Sequence, residues 1–208
     1  MADQLPITKI ACSPEHEARI RDAVRSASEI HFGLFPGRLA KPNDAAAFLT
    51  FLSDPEIHDP IYSLPRPLTV ESVRAFIEQR RSEQERGEGL LFLSFDEDNE
   101  VVAFTDFEIW PEWGAGDLGG AYRRDQQGRG GGGNGVKLAF TWMFEALLLE
   151  RIVATAALDN VRTARIMDRL GFQHMGEITS QRPDGGTRQS LVWELDRAEW
   201  FERFGDPT

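Results

Sequence analysis

The sequence predicts a single α/β domain, of the α+β kind, in which a central, mixed and mostly antiparallel sheet is flanked by helices. Strand-like segments joined by short polar turns occur near residues 90–110 and 172–195, and such pairs predict antiparallel hairpins. A strand, a helix and a second strand follow one another over residues 117–158, and strands joined by a helix are expected to be parallel. No linker-like tract divides the 208 residues, so we expect one domain over residues 1–208.

The composition limits the classes of protein to which the chain can belong. The hydrophobic content of 41% is ample for a sizeable core, and Cys12 is the only cysteine, which excludes an intrachain disulfide and fits a reducing compartment. No secretory signal and no apolar run of membrane-spanning length are present, so we expect a cytoplasmic protein without a membrane partner. The net charge of −11 disfavours nucleic acid and favours a cationic acceptor, although solubility alone explains it equally well.

The first third of the chain mixes short elements with irregular segments. Leu5–Ala11 alternates loosely and predicts a first strand. The Ser-Pro-Glu segment Ser13–Glu15 is a helix start signal, and the helix is expected to run to about Ile30. Residues 31–68 contain six prolines and predict irregular structure with one short helix within residues 43–52. Loops this long are uncommon without a function or structure of their own.

The remaining two thirds predict regular elements in a regular order. Thr69 is a candidate N-cap, and Gly171 is placed to end a helix as its C′ residue. The helix after the glycine-rich stretch is apolar nearly all round and should be buried on more than one side. The expected elements are a helix from Val70, strands Leu90–Phe95, Val101–Trp110 and Asp117–Arg124, a helix over about Gly133–Glu150, a strand Ile152–Leu158, a helix Val161–Leu170, a hairpin of Phe172–Gln181 and Arg188–Leu195, and a terminal helix that carries Trp200.

The glycine-rich stretch Gly128–Gly135 lies where a strand is followed by a helix. A helix N-terminus has unpaired backbone N–H groups and a partial positive charge, and glycine lets a ligand approach the backbone closely. The stretch therefore predicts an anion-binding loop, with a pyrophosphate as the expected ligand. A P-loop is disfavoured, because Val136 and Lys137 are followed by Leu138 rather than by a magnesium-binding Ser or Thr.

A dinucleotide-binding fingerprint is a second interpretation of the loop. It would use Gly128, Gly130 and Gly133, with Asp159 as the ribose acceptor after the next strand. The strand that feeds such a turn is central and apolar, whereas residues 122–127 read YRRDQQ. No second strand–helix–strand unit follows either, which also disfavours this interpretation.

A third interpretation explains more of the residues. Gln127–Gly132 (QGRGGG) fits the Gln/Arg-x-x-Gly-x-Gly/Ala signature of the GNAT superfamily of N-acetyltransferases, and Asp159–Phe172 (DNVRTARIMDRLGF) resembles its Asn-x-x-Ser/Thr…Leu-Gly-Phe block. The blocks stand in the right order, with one helix and one strand between them, so the resemblance covers roughly residues 100–195. It is closest to the branch of ribosomal-protein N-terminal acetyltransferases and implies the acyl-CoA N-acyltransferase fold.

The resemblance implies acetyl-CoA as the cofactor, bound where the strands before and after the loop helix splay apart. The loop backbone would hold the pyrophosphate, the backbone of residues 122–124 would pair with the pantetheine arm, and one N–H there would polarise the thioester carbonyl. Asn160 and Thr163 match family residues near the cofactor arm, although Asn160 fits a plain helix cap equally well. The predicted cofactor-binding residues are Tyr122, Arg123, Arg124, Gln127, Gly128, Arg129, Gly130, Gly131, Gly132, Gly133, Asn134, Asn160 and Thr163.

The implied reaction is attack of a neutral amine on the thioester, which needs a base for the amine proton and an acid for the leaving thiolate. Asp117 aligns with the acidic residue that often begins this strand in the family and is the first candidate for the base. Glu108 on the preceding strand is the second, and either residue can equally be a solvent-facing strand acid. Met167 stands where many members have the tyrosine that protonates the thiolate, so the acid is unassigned. No metal site is expected.

The expected acceptor is a primary amine, either a protein N-terminus or a small cationic amine, and residues 27–67 are expected to shape its site. An aminoglycoside or polyamine acceptor is one alternative. A non-catalytic acyl-CoA-binding regulatory protein is another, because the family tyrosine is absent. The sequence does not predict the oligomeric state.

Overall fold

The computed structural model describes residues 4–32, 35–126 and 131–205, and within these residues eight strands form one sheet. All neighbouring strands are antiparallel except the fifth and sixth, which are parallel. The predicted mixed, mostly antiparallel sheet is therefore confirmed. In spatial order the strands are β1 Glu29–Ile30, β2 Gly37–Leu39, β3 Gly89–Phe95, β4 Val101–Trp110, β5 Ala115–Tyr122, β6 Arg151–Ala157, β8 Thr187–Asp196 and β7 Gln173–Gln181.

Helices cover both faces of the sheet. One face, called the α5 face below, packs against α1 Pro14–Ser26, α5 Gly131–Glu145, α6 Val161–Leu170 and α7 Arg197–Phe204. The other, called the α4 face, packs against α2 Ala45–Leu52, α3 Pro55–His58 and α4 Val70–Arg86. Successive strand residues point to opposite faces. On β4, Phe107 therefore contacts the first cluster and Phe104 the second.

The predicted helix termini are confirmed where the signal is local. Ser13 accepts a hydrogen bond from the backbone N–H of His16, and Thr69 forms a reciprocal capping box with Ser72. Gly171 ends α6 in the left-handed conformation with φ of 89°, which glycine adopts without a Cβ penalty. These ends depend on residues within one turn of each other, so the sequence is sufficient to place them.

Several expectations in the first third of the chain are wrong. Leu5–Ala11 is not a strand, because the carboxylate of Glu194 accepts the backbone N–H groups of Ile7 and Thr8 at 2.7 and 3.0 Å, in place of a neighbouring strand. Helix α1 ends at Ser26 rather than near Ile30, since residues 29–30 pair with β2. The irregular stretch also contains the short strand β2 and the helix α3 beside the expected short helix.

Helix α5 is shorter than its apolar pattern predicts. It ends at Glu145 rather than Glu150, and Leu148 in the following turn has a positive φ of 60°. Its inner side is deeply buried: Phe140, Met143 and Phe144 are at most 2% exposed, and both phenylalanine rings also contact Trp200 of α7. The apolar residues of α5 therefore pack against both the sheet and the terminal helix α7.

Candidate functional site

The parallel strands β5 and β6 pair over a short distance only. Their register joins Ala115 to Arg151, Gly116 to Ile152 and Asp117 to Val153. Beyond this point β5 continues along β4 to Tyr122, while β6 continues along β8 to Ala157. Two strands that follow different neighbours and no longer pair with each other diverge. The sheet thus has a V-shaped gap, called the β5–β6 gap below, with Asp117 at its vertex.

The β5 edge of this gap presents backbone polar groups. The N–H of Arg123 donates to the carbonyl of Val102 on β4 at 2.8 Å. The backbone N–H and C=O groups of successive strand residues point alternately towards the two neighbouring strands. Since those of Arg123 point towards β4, those of Leu118 and Gly120 point towards the gap. The N–H of Leu118 donates to Oδ1 of Asp117 at 2.7 Å. An edge of this kind can pair with an extended ligand as a further strand would.

The first turn of α5 lies beside the end of β5, the strand that borders the open end of the gap. The Tyr122 hydroxyl reaches this turn and lies 3.7 Å from the position that a Cβ at Gly135 would occupy. The backbone of Gly131–Asn134 forms the turn, and helix N-termini favour phosphate groups. The predicted loop residues Gln127, Gly128, Arg129 and Gly130, and the side chain of Asn134, lie outside the described residues.

The side chains of two predicted cofactor residues are bound by neighbouring acids. The guanidinium of Arg123 contacts the carboxylates of Asp96, Glu100 and Asp125 at 2.8 to 3.0 Å. Arg124 pairs with Glu56 at 3.2 Å. The predicted role of these two residues towards the cofactor therefore depends on their backbone groups. Of these, the N–H of Arg123 already donates to β4.

Asn160 caps helix α6. Its Oδ1 accepts the backbone N–H of Thr163 at 3.0 Å, as an N-cap side chain does. The position lies directly after β6, so the cap also fixes the strand end that borders the gap. A further role of Asn160 and Thr163 towards a cofactor remains a prediction. Met167, on the same helix, is 5% exposed and packs in the core of the α5 face.

The two candidate catalytic acids face each other across adjacent strands. Glu108 on β4 and Asp117 on β5 are register partners, and both side chains point to the α4 face. Side chains directly opposite in an antiparallel pair have Cβ atoms about 4.5–5.5 Å apart. Both residues are half-buried. The hydroxyl of Thr155, on β6 across the gap, donates a hydrogen bond to Asp117.

This environment makes both acids weaker than usual. Burial, followed by repulsion from Glu108, raises the pKa of Asp117 to about 7, against the hydrogen bonds from Leu118 and Thr155 that lower it. Burial also raises the pKa of Glu108, with Asp106 adding to the effect and Arg80 opposing it. A carboxylate whose pKa lies near neutrality can both accept and release a proton at physiological pH.

A buried ion-pair network stands beside the acid pair on the α4 face. Arg80 of α4 reaches Asp106 of β4 through one hydrogen bond and one further ion-pair contact, each of 2.8 Å, and also binds Glu83. Arg80 is 8% and Asp106 5% exposed. Although burial opposes it, the two carboxylates raise the pKa of Arg80 above its already high value. The network fixes α4 against β4, next to Glu108.

Two residues of this site were missed from the sequence, although each left a signal. Arg80 occupies the next position of the apolar stripe formed by Val73, Phe76 and Ile77, where a charge needs a buried partner. Thr155 is the only hydroxyl in the otherwise apolar run of β6. In the described parts of the chain, no group of three or more His, Cys, Asp or Glu side chains is placed to hold a metal ion.

The fold and the gap together define an α/β protein that can hold an extended ligand between two strands of its sheet. The family model described as the acetyltransferase (GNAT) domain matches residues 38–173, which is more than half of the chain. This chain belongs to the GNAT acetyltransferase family. It is therefore an N-acetyltransferase, and acetyl-CoA is the acetyl donor in this family. No curated protein matches the sequence.

Solved structures share the fold at low sequence identity. The ribosomal-protein-S5-alanine acetyltransferase from Vibrio fischeri is 20% identical, with a TM-score of 0.67 over 84% of this chain and 99% of that one. RimL, a ribosomal L7/L12 alpha-N-protein acetyltransferase in complex with coenzyme A, is 18% identical, with a TM-score of 0.68 over 83% and 99%. Mycobacterium smegmatis RimJ, in complex with CoA-disulfide, is 21% identical, with a TM-score of 0.64 over 81% and 84%.

Replacing Asn160 separates its cap from any role in cofactor binding. Asn160→Ala removes the cap and is expected to destabilise the protein by about 1 kcal/mol. That loss corresponds to a fall in Tm of about 2–4 °C for a chain of this size. Asn160→Asp keeps the cap acceptor and should keep the Tm. Calorimetric titration with acetyl-CoA then tests the other role: if both variants bind as tightly as the wild type, Asn160 is a cap only.

Asp117 is expected to make stability depend on pH. Its folded pKa of about 7 exceeds the usual 3.8, so the folded state binds a proton more tightly than the unfolded state does. This contribution is complete below pH 3.8 and is lost as the pH rises through 7. One pKa unit corresponds to about 1.4 kcal/mol. Allowing for the partial exposure of Asp117, Asp117→Asn should stabilise the protein at pH 8 by about 1–2 kcal/mol relative to its effect at pH 5.

Thermal unfolding at the two pH values measures this difference as a few degrees in Tm. Asp98→Asn, in the exposed hairpin turn, removes the same charge and is the matched control. Equal changes in Tm between the two pH values for both variants would show that the pKa of Asp117 is not raised in the folded state.

Proposed function

We propose that this enzyme transfers the acetyl group of acetyl-CoA to a primary amine by direct attack in a ternary complex. The acceptor is a protein or peptide N-terminus, or a small amine. One observation carries the proposal. The sheet opens next to Asp117, whose pKa of about 7 suits a group that accepts a proton near neutral pH.

The chain's own groups supply a binding site for the donor. The carbonyl of Leu118 and the backbone of Gly120 on the β5 edge would pair with the extended arm, and the first turn of α5 would hold the phosphates. When bound, acetyl-CoA supplies an activated acetyl thioester. The N–H of Gly120 is directed to the gap and can donate to an oxygen that gains negative charge during transfer.

The acceptor would approach from the opposite face. Tyr122 and α5 lie on one face of the sheet, whereas Asp117 and Glu108 point to the α4 face. An amine on the α4 face therefore meets the donor through the β5–β6 gap. Asp117 would accept the amine proton directly or through one water, and Glu108 would keep the pKa of Asp117 high. No acid for the leaving thiolate is assigned.

Direct attack excludes an acetylated enzyme. The only cysteine, Cys12, lies before α1, with its Sγ 2.7 Å from the position of a Cβ at Gly114. Burial raises the pKa of the Cys12 thiol, with Glu150 adding to the effect, so this thiol is a poor nucleophile.

Initial-rate kinetics with both substrates varied test the proposed order of events. We expect intersecting double-reciprocal lines, and Cys12→Ala should keep the wild-type kcat. Parallel lines, together with a mass increase of one acetyl group on the enzyme after incubation with acetyl-CoA alone, would instead indicate a covalent intermediate and contradict the proposal.

A further inference from the structure

An aromatic side chain in contact with two guanidinium groups lies at the open end of the β5–β6 gap. The Tyr62 ring has Arg188 at 4.0 Å and Arg182 at 5.2 Å from its centroid. Arg188 is the second residue of β8, and Arg182 follows β7, so both arginines belong to one hairpin. Tyr62, Arg182 and Arg188 are called the arginine–tyrosine cluster below.

The segment that carries Tyr62 crosses the α4 face from one side of the gap to the other. Residues 54–68 contact the end of β5 through the ion pair of Glu56 with Arg124. They contact the β7–β8 hairpin through the carbonyl of Pro60, which accepts a hydrogen bond from Nη1 of Arg188 at 2.8 Å. The cluster therefore lines the path by which an acceptor on this face would reach Asp117.

In the part of the chain that the structure describes, the two guanidinium groups of the cluster have one carboxylate partner between them. That partner is Asp184, which pairs with Arg182 at 3.1 Å. Within the described residues, Arg188 forms no ion pair. Its contacts are to neutral groups, namely the Ser190 hydroxyl, the Pro60 carbonyl and the Tyr62 ring. Asp159 and Tyr62 act on Arg188 electrostatically without an ion pair, and burial lowers the pKa of the Arg188 guanidinium. A half-buried cation without a paired carboxylate favours an anionic ligand.

The position of Arg188 separates this ligand from the acetyl donor. Alternate residues of β8 share a face, so Arg188 lies on the same side as Val192, which packs with Val153. That is the α4 face, on which Asp117 also lies. The first turn of α5, where the phosphates of the donor are expected, is on the other face. An anion at Arg188 is therefore part of the acceptor.

The register of the sheet gives the distance from the reacting amine. Asp117 is level with Val153, and Val153 is level with Glu194 of β8. Arg188 lies six residues from Glu194 towards the open end of the gap. Six strand residues span about 20 Å, which an extended peptide covers with about six residues. The long arginine side chain can shorten this span by one or two residues.

Resting on the proposed function, we infer that the arginine–tyrosine cluster selects acceptor peptides with a carboxylate about four to six residues from the N-terminal amine. Arg188 would bind the carboxylate, and the Tyr62 ring and the Pro60 carbonyl would hold its guanidinium in place. The acceptor would then be an acidic peptide, not the small cationic amine that the net charge of −11 favours at first sight.

Three peptides of eight residues test the inference, identical except for Glu, Gln or Lys at positions four to six. Peptide binding is measured by calorimetry in the presence of coenzyme A, and kcat/KM is measured with acetyl-CoA. We expect wild-type enzyme to prefer the Glu over the Gln peptide by about tenfold in both measurements, which corresponds to one charge-assisted contact. Arg188→Gln should remove this preference while its Kd for acetyl-CoA stays unchanged.

The matched control is Arg165→Gln, which removes an exposed positive charge from α6 on the opposite face. It should keep the preference for the Glu peptide. If only Arg188→Gln loses the preference, a general effect of the charge of the protein is excluded. Acetylation of all three peptides with equal efficiency would overturn the inference and leave the proposed function intact. Failure of every peptide, together with acetylation of small amines, would overturn the inference and limit the proposed function to small acceptors. Failure of peptides and small amines alike would overturn both.

Discussion

Asp117→Asn is expected to lower kcat about 10²–10³-fold, the size of effect that follows the loss of a positioned base. The amide keeps the shape of the side chain and can still contact Leu118 and Thr155, but it cannot accept the amine proton. Binding of acetyl-CoA relies on the gap and α5, so its Kd should stay within about twofold of the wild-type value. Steady-state kinetics and calorimetry on the same preparation measure the two effects.

The pH profile distinguishes proton acceptance from simple loss of geometry. Below about 7, wild-type kcat/KM should rise tenfold per pH unit as Asp117 ionises, and then level. Glu108→Gln removes a neighbouring negative charge and should shift this break to lower pH. Two acceptor amines of different pKa separate the enzyme's break from that of the substrate. A break that follows the amine and ignores both variants would show that Asp117 is not the base.

Arg80→Leu is expected to destabilise the fold by about 3–5 kcal/mol, because it leaves the carboxylate of Asp106 buried without its partner. Asp106 is 5% exposed and receives two contacts of 2.8 Å from Arg80. A loss of this size lowers Tm by roughly 10 °C in a chain of about 200 residues. Differential scanning calorimetry at pH 7 measures it.

The double variant Arg80→Leu/Asp106→Leu is the control for this prediction. Replacing a buried ion pair by apolar side chains is often nearly neutral, so much of the lost stability should return. Glu83→Gln, which removes the second partner of Arg80, should cost less than the loss of Arg80 itself. A single Arg80→Leu variant as stable as the wild type would mean that Asp106 finds water or another partner.

Local signals in the sequence placed much of the fold. The N-caps Ser13, Thr69 and Asn160, and the C′ residue Gly171, involve contacts within a few residues. The alternating pattern of the strand segments and the buried helix after the glycine-rich stretch predicted the mixed sheet. Contacts between distant residues were not accessible in the same way. The segment Leu5–Ala11 reads as a strand, and only the position of Glu194, more than 180 residues away, explains why it is not one.

The candidate site shows the same difference between local signals and contacts of distant residues. Resemblance to a family pointed to Asp117, and Glu108 was the second candidate because of its place on the preceding strand. Burial and the pairing with Glu108, which raise the pKa of Asp117, depend on the fold and on strand register, and the opposing hydrogen bond comes from Thr155 on another strand. Arg188 gave no signal at all, since its contact with Pro60 joins residues 128 positions apart. Residues 27–67 were expected to shape the acceptor site. Residues 54–68 cross over the gap, which agrees with this expectation, and the expectation stays a prediction.

The most direct test is a crystal structure with a bisubstrate compound in which coenzyme A is joined through an acetyl bridge to the N-terminus of an acidic peptide. We predict that the coenzyme part lies along the β5 edge with its phosphates at the first turn of α5. The bridge should lie at the vertex, within direct or single-water reach of Asp117, and the peptide should follow the α4 face towards Arg188. A coenzyme bound away from the gap, or a peptide on the same face as α5, would contradict the account.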